Sequence, residues 1–395
     1  MVASLFYNSR DISMVDYCCV SYNNLILLKW SISTSYTRRA ECVKSYDHAH
    51  TFKLYVTLET GKQSDSDSML VSLVPTTSRK SVPEVFHLSH VETGFRTPHQ
   101  PWSYYVYSFF QKHNECLNCW THLLGMCMAL NRATEFAQNH SLLGDPHMWP
   151  LTAGLITMVL MYLCSTIAHC FSNRSELVHY TAFMIDYAGI GLFGVGSVIL
   201  HHHYCHDDAW VNSWLQTNAV VVSVVMGMLV CLCCSASSFL YEPPYPFART
   251  LLQISAVVTI YLWNSVPIVL RLFQYLGAGL WHSSLDHHIQ QMIWFAVAGF
   301  FFSSDIPQRF FPGKFDFLGH SHQIFHLCII MVTEKQLDGI THELERLGTK
   351  FATMALPTFW NSIGAVILAI IFNGIVVVFC HIYVRDMLAK EKKKD

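Results

Sequence analysis

Charge is what this sequence has least of. Asp, Glu, Lys and Arg make up 13% of its 395 residues, roughly half the share of an ordinary soluble domain. Neither sign is in excess: 25 Lys and Arg stand against 27 Asp and Glu, for a formal charge of -2. A nucleic-acid binder would need a basic face, so that class is excluded. No P-loop, dinucleotide-binding glycine pattern or GxSxG stretch occurs. His342-Glu343-Leu344-Glu345-Arg346 starts like HExxH but lacks the second His, so that metalloprotease pattern is rejected. Met1 to Arg10 has no basic stretch leading into an apolar run, and no signal peptide is expected there.

The 14 cysteines are not spaced as a disulfide framework. Half of them (Cys164, Cys170, Cys231, Cys233, Cys234, Cys328 and Cys380) lie in apolar blocks and read as small buried hydrophobes. Cys116-Leu117-Asn118-Cys119 is a CxxC with no second CxxC to complete a zinc ribbon.

What is abundant is hydrophobic surface, at 52% of residues. It comes in blocks, and eight spans are predicted: about 116–137, Met148–Phe171, Tyr180–Leu200, and about 212–240, 249–272, 288–304, 316–333 and 357–384. At 1.5 Å per residue each crosses or nearly crosses roughly 30 Å of hydrocarbon. The expected fold is an all-α polytopic membrane protein, a seven-helix core plus an eighth C-terminal transmembrane helix. Residues 1–80 read as a poorly structured N-terminal extension, with Ser64–Ser68 as a solvated linker and Met69 as an alternative start. Residues 81–112 form an amphipathic cytosolic segment, rich in Trp and Tyr as suits a membrane interface. Residues 113–385 are the helical bundle and 386–395 a basic cytosolic tail. Gly189, Gly191, Gly194 and Gly196 on the third span allow close helix approach.

Lys and Arg set the orientation. With eight spans, Arg96, Lys112, Arg174, Arg249, Arg309, Lys314, Arg385 and the lysines of the tail fall on one side. Arg132, Arg271, Lys335, Arg346 and Lys350 fall on the other. Both termini are therefore expected in the cytosol. The sequon Asn139-His140-Ser141 then lies outside and Asn173-Arg174-Ser175 inside.

Ionisable groups inside spans are costly and mark function. His322 and His326 are four residues apart and share one helix face. They are expected two to three turns into the seventh span. His169 supplies a third imidazole near the inner end of the second span. Three protein ligands with one open position is the catalytic pattern for Zn²⁺. Asp186 would hydrogen-bond a bound water or orient a His, and Ser165 shares the face of His169. His201-His202-His203-Tyr204-Cys205-His206-Asp207-Asp208, His282, His287 and His288 read as wet interfacial clusters.

These residues resemble a known family. Gly319-His320-Ser321-His322-Gln323-Ile324-Phe325-His326 resembles the seventh-helix signature of the progestin and adipoQ receptors. Ser165-Thr166-Ile167-Ala168-His169, with Asp186 beyond, resembles their second and third helices. His113-Asn114-Glu115 and Asn118–Leu124 resemble the entry to the first helix. Thr93-Gly94-Phe95-Arg96 resembles the segment before it, and Phe311–Asp316 the turn before the seventh helix. The eighth span and Ser172–Asp186 are most similar to the membrane progestin receptors.

The resemblance implies zinc on His169, His322 and His326, with Asp186 and Ser165 beside it. It also implies a steroid or other lipid ligand, the plasma membrane, and a cytosolic transducer such as a G protein. Phe183, Tyr187, Trp263 and Phe325 are the candidate walls of an apolar ligand cavity. The tail Lys392-Lys393-Lys394-Asp395 fits a dilysine pattern, which makes the endoplasmic reticulum the alternative membrane. Two further functions stay open: a zinc-dependent, ceramidase-like lipid amide hydrolase with Asp186 as base and Ser165 on the oxyanion, and a zinc-stapled scaffold for protein partners.

Overall fold

The computed structural model describes residues 28–32, 36–46, 52–58, 69–72, 75–207, 213–242 and 245–393. The chain divides into two compact units, Met1–Pro75 and Thr76–Asp395. In the first, an antiparallel meander runs in the order β1 (Leu28–Ile32), β2 (Tyr36–Tyr46), β3 (Phe52–Leu58) and β4 (Met69–Ser72). Its register pairs Leu28 with Ala40, Ala40 with Leu58 and Lys53 with Ser72. Within the stretch expected as an N-terminal extension, the described residues of 28–72 are strands. Backbone pairing between segments leaves no period in the side chains when apolar and polar residues do not alternate, as in β2. The linker Ser64–Ser68 lies outside the described residues, as do Lys394 and Asp395 of the tail.

The second unit is helical. Two short strands, β5 (Thr76–Thr77) and β6 (Phe95–Arg96), pair ahead of the short helix α1 (Trp102–Ser108). Among the described residues eight long helices follow, one for each predicted span: α2 (Cys116–Asn139), α3 (Trp149–Phe171), α4 (Glu176–Tyr204), α5 (Trp214–Leu240), α6 (Phe247–Ala278), α7 (Ser283–Ser304), α8 (Ser321–Leu347) and α9 (Ile363–Glu391). Five of them, α3, α4, α5, α6 and α9, are long and apolar enough to cross a membrane on length and composition. The protein is an all-α polytopic membrane protein. In α9 Ile371, Ile375, Val378 and Phe379 face outward, as a surface that meets lipid does.

The bundle closes tightly around α4. A Cβ on Gly227 of α5 would stand 2.8 Å from the Gly191 carbonyl oxygen of α4, so the two backbones touch where both residues lack side chains. The α1 segment sits at one end of the bundle. Trp102 is exposed, packs on Phe171 and carries the Arg174 guanidinium 4.1 Å from its ring.

The structure shifts one boundary that matters for the site. The seventh span was expected from about 316, but α8 starts at Ser321. Gly319 holds φ +86°, a conformation that ends the preceding turn and that other residues resist. His322 and His326 therefore occupy the first and second turns of α8. The helix runs on to Leu347 because its polar second half finds partners there, Lys335 with Asp338 and Arg346 with Glu343.

Gly191→Val should collide with a backbone that cannot move aside. A loss of about 1–3 kcal/mol is expected for such overpacking. It is read as a lower melting temperature of the purified chain, beside Gly374→Ala, which meets nothing within 4 Å and should leave it unchanged.

Candidate functional site

Helix ends from four elements meet at one end of the bundle: the start of α2, the end of α3, the first half of α4 and the start of α8. His169, His322 and His326 are brought together there. One donor atom of each lies within 4.8 Å of the others. His322 Nε2 and His169 Nε2 are 3.4 Å apart, and the rings of His169 and His326 have centroids 5.0 Å apart.

The first turn of α8 is held from outside. Gln308 accepts from the Ser321 amide at 2.8 Å and donates to Ser321 Oγ at 2.8 Å. Gln323 Oε1 accepts from the Gly319 amide at 2.6 Å. Unpaired amides at a helix start need such partners. The Asp316 carboxylate accepts from the amides of Glu92 and Thr93 and from Thr93 Oγ1. This ties the turn before α8 to the chain that leads into β6.

The end of α3 is held by Arg96. Its guanidinium is fully buried and donates to the His169 and Cys170 carbonyls at 2.8 and 2.6 Å. It also donates to Asn173 Oδ1 at 2.8 Å and Ser108 Oγ at 3.1 Å. A cation at a helix C-terminus meets the negative end of the dipole and the orphan carbonyls at once. Asn173 is thereby buried and engaged, whereas Asn139, at the end of α2, is exposed.

The imidazoles are oriented by residues at the start of α2, beginning with Glu115 just before it. His169 Nδ1 lies 2.7 Å from Glu115 Oε2, which Asn118 Nδ2 also reaches at 2.6 Å. A carboxylate accepts the Nδ1 proton, so the His169 Nε2 lone pair is left facing His322. His326 Nδ1 lies 3.0 Å from Thr121 Oγ1, whose own proton goes to the Leu117 carbonyl. His122 stacks on His326 with centroids 3.5 Å apart.

Asp186 and Ser165 are buried and paired, Oγ to Oδ2, at 3.4 Å. The carboxylate that orients a histidine is Glu115 rather than Asp186. From sequence, Glu115, Asn118 and Thr121 have no part in the site beyond the resemblance of the first-helix entry. The signal was present: Glu115, Asn118 and His122 stand at i, i+3 and i+7, one face of a helix.

A cavity of about 260 Å³ lies against this cluster. Glu115, His169 and His322 form part of its wall, and Phe86, Phe183, Tyr187 and Phe302 supply aromatic surface. Arg249 and Gln253 add polar groups, and Gln253 Nε2 donates to the Tyr187 hydroxyl at 3.2 Å. Two of the four expected wall residues, Phe183 and Tyr187, line it. Trp263 instead stacks near His202 and donates to the Ala219 carbonyl, and Phe325 packs on Phe302 and His322.

The histidine clusters expected to be wet are largely buried. His201, His202, His206 and His288 are closed over at the far end of the bundle, and Cys205 with them. The C-terminal half of α8 packs there, a burial that composition alone does not reveal. Asp208 lies outside the described residues. Cys116 and Cys119 are both free thiols.

Arg96→Ala would strand two helix carbonyls and leave Asn173 Oδ1 only the Ser172 hydroxyl at 3.5 Å. A destabilisation on the order of 3 kcal/mol is expected, read as a drop in melting temperature. Arg96→Lys should recover little of it, because one ammonium cannot span the fork.

A family model described as Haemolysin-III related matches residues 110–336. Among curated relatives, membrane progestin receptor beta of Homo sapiens is 34% identical over 267 residues, 67% of this chain and 75% of that protein. Membrane progestin receptor alpha-B of Danio rerio is 32% identical over 276 residues, 69% and 78% of the two chains. Membrane progestin receptor gamma of Homo sapiens is 32% identical over 293 residues, 74% and 88%. The chain belongs to the progestin and adipoQ receptor family, and within it is similar to the membrane progestin receptors.

Proposed function

We propose that the chain is a membrane progestin receptor whose ligand site is the cavity beside the three histidines. The observation that carries this reading is the cavity's composition. Aromatic faces suit a flat apolar steroid, and Arg249 and Gln253 are placed to bond its polar ends. The relatives are named for progestins. Val85, Phe86 and Leu88 of the segment before α1 also line the cavity. A bound steroid would therefore bear on a segment that, in the orientation expected from Lys and Arg, faces the cytosol. A G protein would read that change as a difference in affinity for two states.

Zn²⁺ is the cofactor this reading assigns to His169, His322 and His326. The donor set supports it. Two nitrogens on a tetrahedral zinc at ~2.1 Å stand about 3.4 Å apart, and His169 Nε2 and His322 Nε2 are separated by 3.4 Å. Glu115 and Thr121 would serve as the outer partners that keep two of the imidazoles in the ligating tautomer. Elemental analysis of the detergent-purified chain should find about one zinc at this centre, lost in His322→Ala/His326→Ala. Glu115→Gln should keep the fold and lower zinc affinity about 10- to 100-fold in a chelator competition. A folded parent without zinc at the three histidines overturns the assignment.

Steroid binding tests the receptor. Phe183→Ala and Gln253→Ala should each weaken radiolabelled progestin binding about tenfold or more, as loss of a wall or a hydrogen bond does. Unchanged binding in both would place the ligand elsewhere.

The Ser165–Asp186 pair beside the cluster favours a second reading, a ceramidase-like hydrolase. Bound zinc would supply Lewis acidity and an acidified water. Asp186 would hold the proton taken from that water, and Ser165 would donate to the developing oxyanion. Asp186→Asn separates the two readings: it should abolish ceramide turnover if the chain is a hydrolase, and leave progestin binding intact if it is a receptor.

Orientation is tested by glycosylation. With cytosolic termini, Asn139 is the acceptor, and chain expressed in cells should shift on deglycosylation in a manner lost in Asn139→Gln. Absence of any shift in a chain that reaches the membrane would count against this orientation. The same chain, followed by cell-surface labelling, distinguishes the plasma membrane from the endoplasmic reticulum.

A further inference from the structure

The far end of the bundle holds a second set of donors that the receptor reading does not use. His201 lies in the last turn of α4, Cys205 just beyond it, and His288 in the second turn of α7. All three are buried, and one donor atom of each lies within 4.8 Å of the others. His322 and Glu343, at the two ends of α8, are 21 residues apart, so this cluster is about 30 Å from the first.

The local geometry is that of a prepared ligand set. His201 and Cys205 are four residues apart and share a face. The His201 Nδ1 lies 3.3 Å from the Asn264 carbonyl oxygen. A carbonyl only accepts, so Nδ1 carries the proton and Nε2 keeps its lone pair. That lone pair now accepts from Gln336 Nε2 at 3.1 Å. His288 has Gln291 Oε1 3.5 Å from Nδ1, and turns Nε2 toward Cys205 Sγ at 3.4 Å.

Gly339 of α8 makes room for the His288 ring, because a Cβ there would stand 2.6 Å from its Cε1. The Glu343 carboxylate lies 3.6 Å from His288 Nε2 but is held by Arg271 and Arg346. It is thus a charge neighbour rather than a free ligand.

We infer that His201, Cys205 and His288 bind a thiolate-seeking transition-metal cation of the zinc class, clamping the end of α4 to the start of α7. Two imidazoles and one thiolate are a zinc-type donor set with one position left for water. Sulfur at ~2.3 Å and nitrogen at ~2.1 Å from a tetrahedral zinc are about 3.6 Å apart, close to the 3.4 Å between Cys205 Sγ and His288 Nε2. On binding, the Cys205 S–H bond breaks and its proton leaves to solvent, so the sulfur enters as thiolate. No electron is transferred. The inference does not depend on the steroid reading.

The test uses Co²⁺, whose bond to a thiolate absorbs in the near ultraviolet while its bond to imidazole does not. Reduced full-length chain in detergent, carrying His322→Ala/His326→Ala, is titrated with Co²⁺. About one equivalent should bind with the thiolate band and raise the melting temperature. Cys205→Ser and His288→Gln, each monodisperse and as helical as the parent, should each lose the band. If the background variant does not fold, the band is read on the parent, since the three-histidine cluster contains no sulfur. A folded chain without the band, or a band that persists in Cys205→Ser, overturns the inference and leaves a hydrogen-bonded thiol–imidazole pair.

Discussion

The buried Arg96 guanidinium is the constraint on which the three-histidine end of this molecule depends. It spends its donors on the carbonyls that α3 leaves open at its C-terminus, and one of those carbonyls belongs to His169. Position along α3 is thereby fixed at the residue that turns its imidazole into the cluster. The strand carrying Arg96 follows Glu92 and Thr93, which are bound to Asp316 just before α8. A short segment thus sets the end of one helix against the start of another. Burying a cation this way is tolerable only because its carbonyl and side-chain acceptors are all placed to receive it.

The helices converge on polar groups at both ends and on packing between them. Along α4, small residues let α5 come to backbone contact, with the Asn373 amide of α9 closing in beside Gly191. At one end, Glu115, itself held by Asn118, and Thr121 meet the Nδ1 atoms of His169 and His326. At the other, Arg271, Glu343 and Arg346 form a buried charge network beside His288. A buried charge without a partner would be costly in either place, and both Glu115 and Glu343 have theirs. Those partners are drawn from different helices, which makes the polar ends sensitive to how the helices sit.

The cavity follows from the same arrangement. Chain before α1 covers the side of the cluster that the helices leave open, and it brings Phe86 against His179 of α4 with ring centroids 5.3 Å apart. A ligand there touches the covering segment and the helices together. Coupling between occupancy and shape needs such a shared wall.

Helix number and approximate position were legible in the sequence, because a long apolar run has few alternatives to a helix in a membrane. So was the pairing of His322 with His326, since a spacing of four places both on one face whatever the surroundings. The family was legible from short motifs at the helix ends. Other features depended on tertiary structure. That Glu115 rather than Asp186 holds His169 depends on which faces of α2, α3 and α4 meet, and a linear pattern does not encode the rotation of one helix about its axis against another. The burial of His201, Cys205 and His288 depends on α8 continuing past its apolar half, which its charged residues conceal until their partners are seen. The sequence alone determined the helices and the chemistry each one carries. Which of those side chains face one another was decided by packing, because distance between helices is a property of all of them together.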